Sequence, residues 1–173
     1  MKIINRIINR ISPIAGGFST IFLAAMILLI IVDVFLRKAF RAPILGSYEA
    51  VQYLFMIHFF GSWCFTQSKR GHVRVTLIIN NLPWRLHCVL NGIYELLCAA
   101  MAGYMCYAAA VHAAYLSSVS WRSEVIKMPT SPFFWVESFC ILILALLFLF
   151  DAIASFIALT DKEMAESLFK HYA

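Results

Sequence analysis

The chain has 173 residues, of which 62% are hydrophobic and only 13% are charged. A soluble domain averages about 45–50% apolar and about 25% charged residues, so this composition excludes an ordinary soluble domain and predicts a protein embedded in a bilayer. The net charge of +5, from 14 basic and 9 acidic residues, comes from side chains that flank apolar segments, which argues against a nucleic acid as partner.

Four apolar segments are long enough to cross a membrane, since about 20 apolar residues span the hydrocarbon core. Water cannot satisfy backbone groups there, so each segment should be a helix with internal hydrogen bonds. The predicted spans are residues 14–36, 50–67, 88–116 and 133–159. We therefore expect one all-α integral membrane domain over residues 1–173, with four transmembrane helices and no separate catalytic domain.

The N-terminal segment, residues 1–11, repeats the unit IINR and places its isoleucines on one helical face. This pattern predicts a short amphipathic helix that lies in the lipid interface, with disorder as the alternative. Ser12 and Pro13 then suit the N-cap and first turn of span one. That span is too long for a signal peptide and has no small-residue cleavage site, so we expect it to be retained.

The loop between spans two and three is the longest connection. Its apolar residues Val75, Ile78, Ile79 and Leu82 follow helical spacing, which predicts a second interfacial helix over 72–83. A short strand through residues 73–77 is the alternative reading of the same stretch.

The basic residues indicate the orientation of the chain. If the N-terminus is inside, the inner segments carry nine Lys and Arg residues and the outer loops carry five. A cytoplasmic excess of basic residues favours both termini in the cytoplasm.

Span three is rich in small residues, with a stripe of Ala102, Cys106, Ala110 and Ala114 at i, i+4 spacing and Gly103 beside it. Small residues let membrane helices approach closely. We expect this helix to lie at the centre of the bundle or against a partner.

Ionisable residues inside spans are costly and default to functional hypotheses. Asp33 lies i, i+4 from Arg37, and Glu49 and Glu137 lie near the same end of the spans, so we expect ion pairs that lock the helix ends. Glu95 and Asp151 lie deeper, about two turns from the cytoplasmic ends. They could be protonated, paired with an inward-reaching arginine or a neighbouring subunit, or part of an ion or proton path.

No catalytic motif occurs in the chain, so an enzyme is not expected. The five cysteines form no C-x-x-C pair and suit apolar packing. His58 and His112 could ligate haem in an electron-transfer subunit, but their predicted depths differ by about 9 Å at about 1.5 Å per residue. No cofactor or metal is therefore expected, and a haem-b-carrying membrane anchor of an oxidoreductase stays as the alternative.

Several short motifs together resemble a known family. The sequence VDVFLR (32–37) is followed by Pro43, Gly46 and Glu49, and the inner loop reads RGHVRV (70–75) before Pro83. Their order and spacing, with Pro129 before the last span, resemble the small Q-type (DctQ-like) membrane subunit of tripartite ATP-independent periplasmic (TRAP) transporters. Thr76 stands where the family motif usually continues with Asp.

The resemblance implies a non-catalytic subunit of the bacterial inner membrane that binds a large M-type subunit, which holds the sodium and substrate sites and moves as an elevator. A periplasmic binding protein would deliver organic acids such as dicarboxylates or sialic acid. The structural or partner-contact candidates are Asp33, Arg37, Glu49, Arg70, Gly71, His72, Arg74, Pro83 and Pro129. An independent channel, formed by oligomerisation around Glu95 or Asp151, is a third reading.

Overall fold

The computed structural model describes residues 2–68 and 83–160, and its regular structure there is entirely helical. The helices are α1 (Lys2–Ala39), α2 (Ser47–Ser68), α3 (Trp84–Ser118) and α4 (Ser131–Ile157). The all-α prediction is confirmed. The predicted interfacial helix over 72–83 lies outside the described residues except for Pro83, which has extended backbone (φ −59°, ψ 141°) just before α3.

Helix α1 runs without interruption from Lys2 to Ala39, through Ser12 and Pro13. The predicted boundary between an interfacial helix and span one is therefore wrong. A proline removes one helical hydrogen bond, but membrane helices tolerate this where neighbouring groups satisfy the freed carbonyl. The repeat IINR favours helix before the proline, and the apolar residues of span one follow it, so the helix continues across the proline.

Three helices in the described part of the chain are long and apolar enough to cross a membrane: Ser19–Ala39 within α1, Trp84–Ser118 and Ser131–Ile157. Helix α2 is not among them, although its 22 residues extend for about 33 Å at about 1.5 Å per residue. Polar residues such as Gln52, His58 and Ser62 interrupt its apolar sequence. The count of four spans therefore stays a prediction.

The helices pack in a row in the order α1, α2, α4, α3. Helices α2 and α4 run parallel, because Tyr53 contacts Phe133 near one end and Gln67 contacts Asp151 near the other. The remaining helix pairs make slight contacts or none in the described residues, so this is not a closed bundle. Helices α1 and α3 consequently each have an open face at an edge of the row.

The interface between α3 and α4 is the most extensive and holds the main core cluster. Its buried members are Ala102, Ala109, Ile141, Leu144 and Phe148. Alanines on α3 let the larger side chains of α4 lie close to its backbone, as is common between membrane helices.

The predicted small-residue stripe on α3 is only partly in this interface. Ala102 is buried and Cys106 is half-buried, but Ala114 and Gly103 are exposed. The reason is geometric, since residues four apart advance about 400° at about 3.6 residues per turn and the stripe drifts about 40° per step. Of the two expectations for α3, the central position is wrong, because α3 lies at an edge of the row, and contact with a partner stays a prediction.

Helix α4 begins after Thr130, and its first residue contacts α3. Thr130 occupies the N-cap position and Pro132 lies in the first turn, while neither Thr130 nor Ser131 caps the helix with its side chain. The Ser131 hydroxyl instead donates to the carbonyl of Ala113 at 3.0 Å. The hydroxyl thus joins α4 to α3.

Candidate interaction site at the loop end

The end of the row where α1 stops and α2 and α4 begin is called here the loop end, after its two connections, residues 40–46 and 119–130. Four of the predicted partner-contact residues lie in or beside it: Asp33, Arg37, Glu49 and Pro129. Pro83 lies at the start of α3, near the opposite end of the row. Arg70, Gly71, His72 and Arg74 lie outside the described residues, so their predicted roles stay predictions.

Asp33 fastens the first connection to α1. Its Oδ2 accepts a hydrogen bond from Arg37 Nη2 at 2.7 Å, as the i, i+4 spacing predicts. Its Oδ1 accepts one from the backbone N–H of Ile44 at 2.8 Å, and the residue is buried. The carboxylate therefore binds the backbone of the first connection as well as Arg37. The sequence did not indicate the contact with the backbone.

Glu49, in the first turn of α2, holds the second connection. Its Oε2 accepts a hydrogen bond from the N–H of Ile126 and its Oε1 accepts one from Val125, each at 2.9 Å. These backbone amides, Ile126 first, hold the pKa of Glu49 below its ordinary value of 4.5. Glu49 forms no ion pair with a basic side chain of the described residues, so the predicted pairing is wrong there, and its described partners are two amides of a distant loop.

Gly46 lets the two connections approach each other. Its φ is +80°, a left-handed conformation that glycine adopts without strain. A Cβ there would also collide with the side chain of Ile126. The position therefore requires glycine for two independent reasons.

The second connection is a short hairpin. Arg122 and Pro129 form a β-bridge, and the N–H of Ser123 donates to the carbonyl of Met128 at 2.9 Å. The Ser123 hydroxyl accepts from the N–H of Met128 at 3.1 Å, and Lys127 has a positive φ of 59°. Pro129, predicted only as a family feature, is therefore a pairing position of this hairpin.

The loop end presents large apolar side chains next to basic ones. Leu45 is 84% exposed, and Phe40, Tyr48, Trp121 and Val125 are also exposed. The exposed basic residues around them are Lys38, Arg41, Arg122 and Lys127. Such a surface can bind a protein or lipid head groups.

Two polar clusters deeper in the row were not foreseen. Between α1 and α2, His58 Nδ1 donates to the carbonyl of Ser19 at 2.9 Å, and the Ser19 hydroxyl donates to the carbonyl of His58 at 2.7 Å. The Ser62 hydroxyl lies within hydrogen-bonding distance of that of Ser19. The signal in the sequence is Ser19, a polar residue on the same face of α1 as Asp33, which is otherwise apolar.

The second cluster joins α2, α3 and α4. Gln67 Nε2 donates to Asp151 Oδ2 at 3.1 Å, and Asn91 Nδ2 donates to Ser155 Oγ at 2.6 Å. Glu95, one turn beyond Asn91, is completely buried. The carboxyl groups of Glu95 and Asp151 could be singled out from the sequence. The part that Gln67 and Asn91 play in the cluster is evident only from the packing of the helices.

The two histidines considered as haem ligands are not brought together in the packing. His58 is engaged with Ser19, while His112 lies edge-on against Phe134 with ring centroids 4.7 Å apart. Helices α2 and α3 do not pack extensively against each other. Within residues 2–68 and 83–160, no group of three or more His, Cys, Asp or Glu residues is placed to hold a metal ion.

Comparison with known proteins gives one family. Residues 26–160 match the family described as tripartite ATP-independent periplasmic transporters, DctQ component. The matched region covers the last part of α1, from residue 26 onward, and the whole of α2, α3 and α4, including the loop end. No curated protein matches the chain.

Proposed function

The chain belongs to the DctQ family, the small membrane components of TRAP transporters, and from that membership we propose that it scaffolds a large M-type subunit. The observation that supports this most directly is the row of helices, in which α1 and α3 each leave a face open. A row of this kind offers two edges to lipid or protein, which suits a brace beside a larger membrane protein.

The proposed transporter couples a sodium gradient to uptake of organic acids of the dicarboxylate or sialic-acid type. In this assignment the large subunit moves the solute and the small chain does not. The loop end, fixed by Asp33 and Glu49, would face the periplasm and help to dock the substrate-binding protein. Both termini would then lie in the cytoplasm, with four spans in the inner membrane.

Co-purification tests the assignment. Affinity purification of this chain from membranes that also contain the large subunit should recover a stable complex of the two. Reconstitution of that complex with the binding protein should give sodium-dependent uptake of a dicarboxylate or of sialic acid. A chain that is recovered as a monomer, with no large membrane partner, would contradict the proposal.

The alternatives have equally direct tests. A Soret band in the absorbance spectrum of the purified protein would support the haem-carrying anchor instead. Solute flux through liposomes that contain this chain alone would support an independent channel.

The orientation can be measured separately from binding. Single cysteines at Leu45 and Val125, both exposed at the loop end, should react with a membrane-impermeant maleimide added from the periplasmic side. Because native cysteines are present, the labelling is compared with the same protein that lacks the added cysteine. Labelling only after the membrane is opened would reverse the proposed orientation.

For the inner-loop residues His72 and Arg74 we expect contact with phosphates or with partner carbonyls, which would hold the inner loop in place. The double variant His72→Ala/Arg74→Ala should therefore weaken assembly or uptake. Unchanged assembly and uptake in this variant would remove these two residues from the proposal.

A further inference from the structure

The open face of α3 differs in chemistry from the open face of α1. On α1 the residues turned away from α2 are apolar, for example Ile21, Leu28, Ile31 and Phe35, all exposed. On α3 the residues turned away from α4 are exposed as well, but three of them carry a hydroxyl group. This face of α3, called the tyrosine face, consists of Leu97, Ala100, Tyr104, Tyr107, Val111 and Tyr115.

Helix geometry places these residues opposite the interface with α4. Ala102 and Ala109 are buried against α4. Tyr104 follows Ala102 by two residues, or about 200° around the helix at about 100° per residue. In agreement with this geometry, Tyr104 is 73% exposed and Tyr107 is 68% exposed.

The depth of Tyr104 and Tyr107 follows from the contacts of Cys106, which lies between them. The Cys106 Sγ lies 3.4 Å from the carbonyl oxygen of Ser138, the eighth residue of α4. Seven residues of helix place this level about 10 Å below the start of α4, at about 1.5 Å per residue. Tyr104 is further in by half a turn, and both tyrosines therefore fall within the span.

Tyrosine hydroxyl groups are favourable at the membrane interface, where one end of the side chain can be wet. Inside the hydrocarbon region a hydroxyl without a hydrogen bond is costly. Within residues 2–68 and 83–160, the hydroxyl groups of Tyr104 and Tyr107 form no hydrogen bond. Lipid tails, which suit the open face of α1, would leave both hydroxyls unsatisfied.

We propose that the tyrosine face seats a transmembrane helix of the large subunit, one that offers hydrogen-bond acceptors to Tyr104 and Tyr107. The acceptors would be side-chain oxygens of Ser, Thr, Asn or Gln, or a carbonyl at a break in that helix. Ala100, between Leu97 and Tyr104 on the same face, leaves room for close approach. This inference rests on the proposed function. It assigns the open face of α3 to the large subunit and the open face of α1 to lipid.

Crosslinking in the assembled complex tests the assignment of faces. The photoreactive residue p-benzoylphenylalanine is placed at position 104 or 107 and, as a control, at position 28 on α1. Irradiation of native membranes should join positions 104 and 107 to the large subunit and leave position 28 linked to lipid. The inference is overturned if positions 104 and 107 link only to lipid or to a second copy of this chain.

Conservative substitutions test the hydrogen bonds. Tyr104→Phe with Tyr107→Phe removes two hydroxyls and keeps the rings, so the fraction of the small chain that retains the large subunit in detergent should fall about tenfold. Ser117→Ala removes a hydroxyl at an exposed position of α3 that lies off the tyrosine face, and it should leave that fraction unchanged. Equal retention in all variants would overturn the hydrogen-bonding role.

The outcomes separate this inference from the proposed function. If wild-type chain co-purifies with the large subunit but position 104 reacts with lipid, the function stands and the tyrosine face is wrong. If wild-type chain does not bind the large subunit at all, the proposed function fails first.

Discussion

The carboxylate of Glu49 accepts a hydrogen bond from the backbone N–H of Ile126, 77 residues later in the chain, at 2.9 Å. The bond ties the start of α2 to the hairpin between α3 and α4. A second bond, from Val125, reaches the same carboxylate, and Tyr53 in α2 also bonds the hydroxyl of Thr130 at 3.0 Å. Glu49 therefore binds the tip of the hairpin, while Tyr53 contacts its end.

Glu49→Gln should loosen the hairpin. Glutamine keeps one acceptor oxygen but turns an NH₂ group towards the other amide, so one hydrogen bond and the negative charge are lost. Hydrogen exchange of the Val125 and Ile126 amides should become faster, as followed by mass spectrometry of a peptide that covers residues 119–130. Glu124→Gln, at an exposed position of the same hairpin, is the control, and equal acceleration in both variants would argue against the clamp.

The hairpin should also respond to pH. Because the Ile126 and Val125 amides lower the pKa of Glu49 in the folded state, its ionised form stabilises the docked hairpin. This stabilisation is fully present above the ordinary value of 4.5 and is lost as the pH falls through the lowered folded-state value. Exchange of the same peptide should accelerate over that acid range in wild type, after correction for the intrinsic pH dependence of exchange, and should not show this step in Glu49→Gln.

Gly46→Ala should destabilise the same region. An L-residue in the left-handed conformation costs roughly 1–2 kcal/mol, and the new methyl group would also collide with Ile126. We expect a lower midpoint of thermal unfolding in detergent and faster exchange in residues 119–130. Gly17→Ala, at a helical glycine with open space around it, should instead leave the midpoint unchanged or raise it.

Helix content and the apolar spans could be predicted because they depend on local composition and on the need to satisfy backbone groups in lipid. The Asp33–Arg37 pair could be predicted because i, i+4 spacing brings side chains together within one helix. The partners of Glu49 could not, since backbone amides carry no sequence signature and the hairpin is distant along the chain. The edge position of α3 could not be predicted either, because a small-residue stripe indicates a close contact but not the number of neighbours.

The prediction at Ser12 and Pro13 shows a different limit. A serine followed by a proline is typical of a helix start, but the same pair can lie inside a continuous helix when both flanks favour helix. In this chain the pair lies inside a continuous helix, which runs from Lys2 to Ala39. A two-residue signal for a helix start is therefore weaker evidence than the helix propensity of the residues around it.

The link between α1 and α2 gives the last prediction. Ser19→Ala removes the hydroxyl that donates to the carbonyl of His58 and that also lies 2.9 Å from His58 Nδ1. Hydrogen bonds between membrane helices average about 0.6 kcal/mol and reach about 1.7 kcal/mol. We expect a loss at the upper end of this range, about 1–1.7 kcal/mol, because the half-buried Ser62 hydroxyl also loses a neighbour.

The measurement is reversible unfolding in mixed micelles with increasing SDS, followed by tryptophan fluorescence. Ser117→Ala, an exposed serine near the end of α3, makes the same change outside any helix interface and should have no effect. A double-mutant cycle between Ser19→Ala and Ser62→Ala would give the coupling of the two hydroxyls, which direct contact predicts to be different from zero. Additive losses in that cycle would mean that Ser19 acts through His58 alone, and the α1–α2 link would then be a two-residue contact.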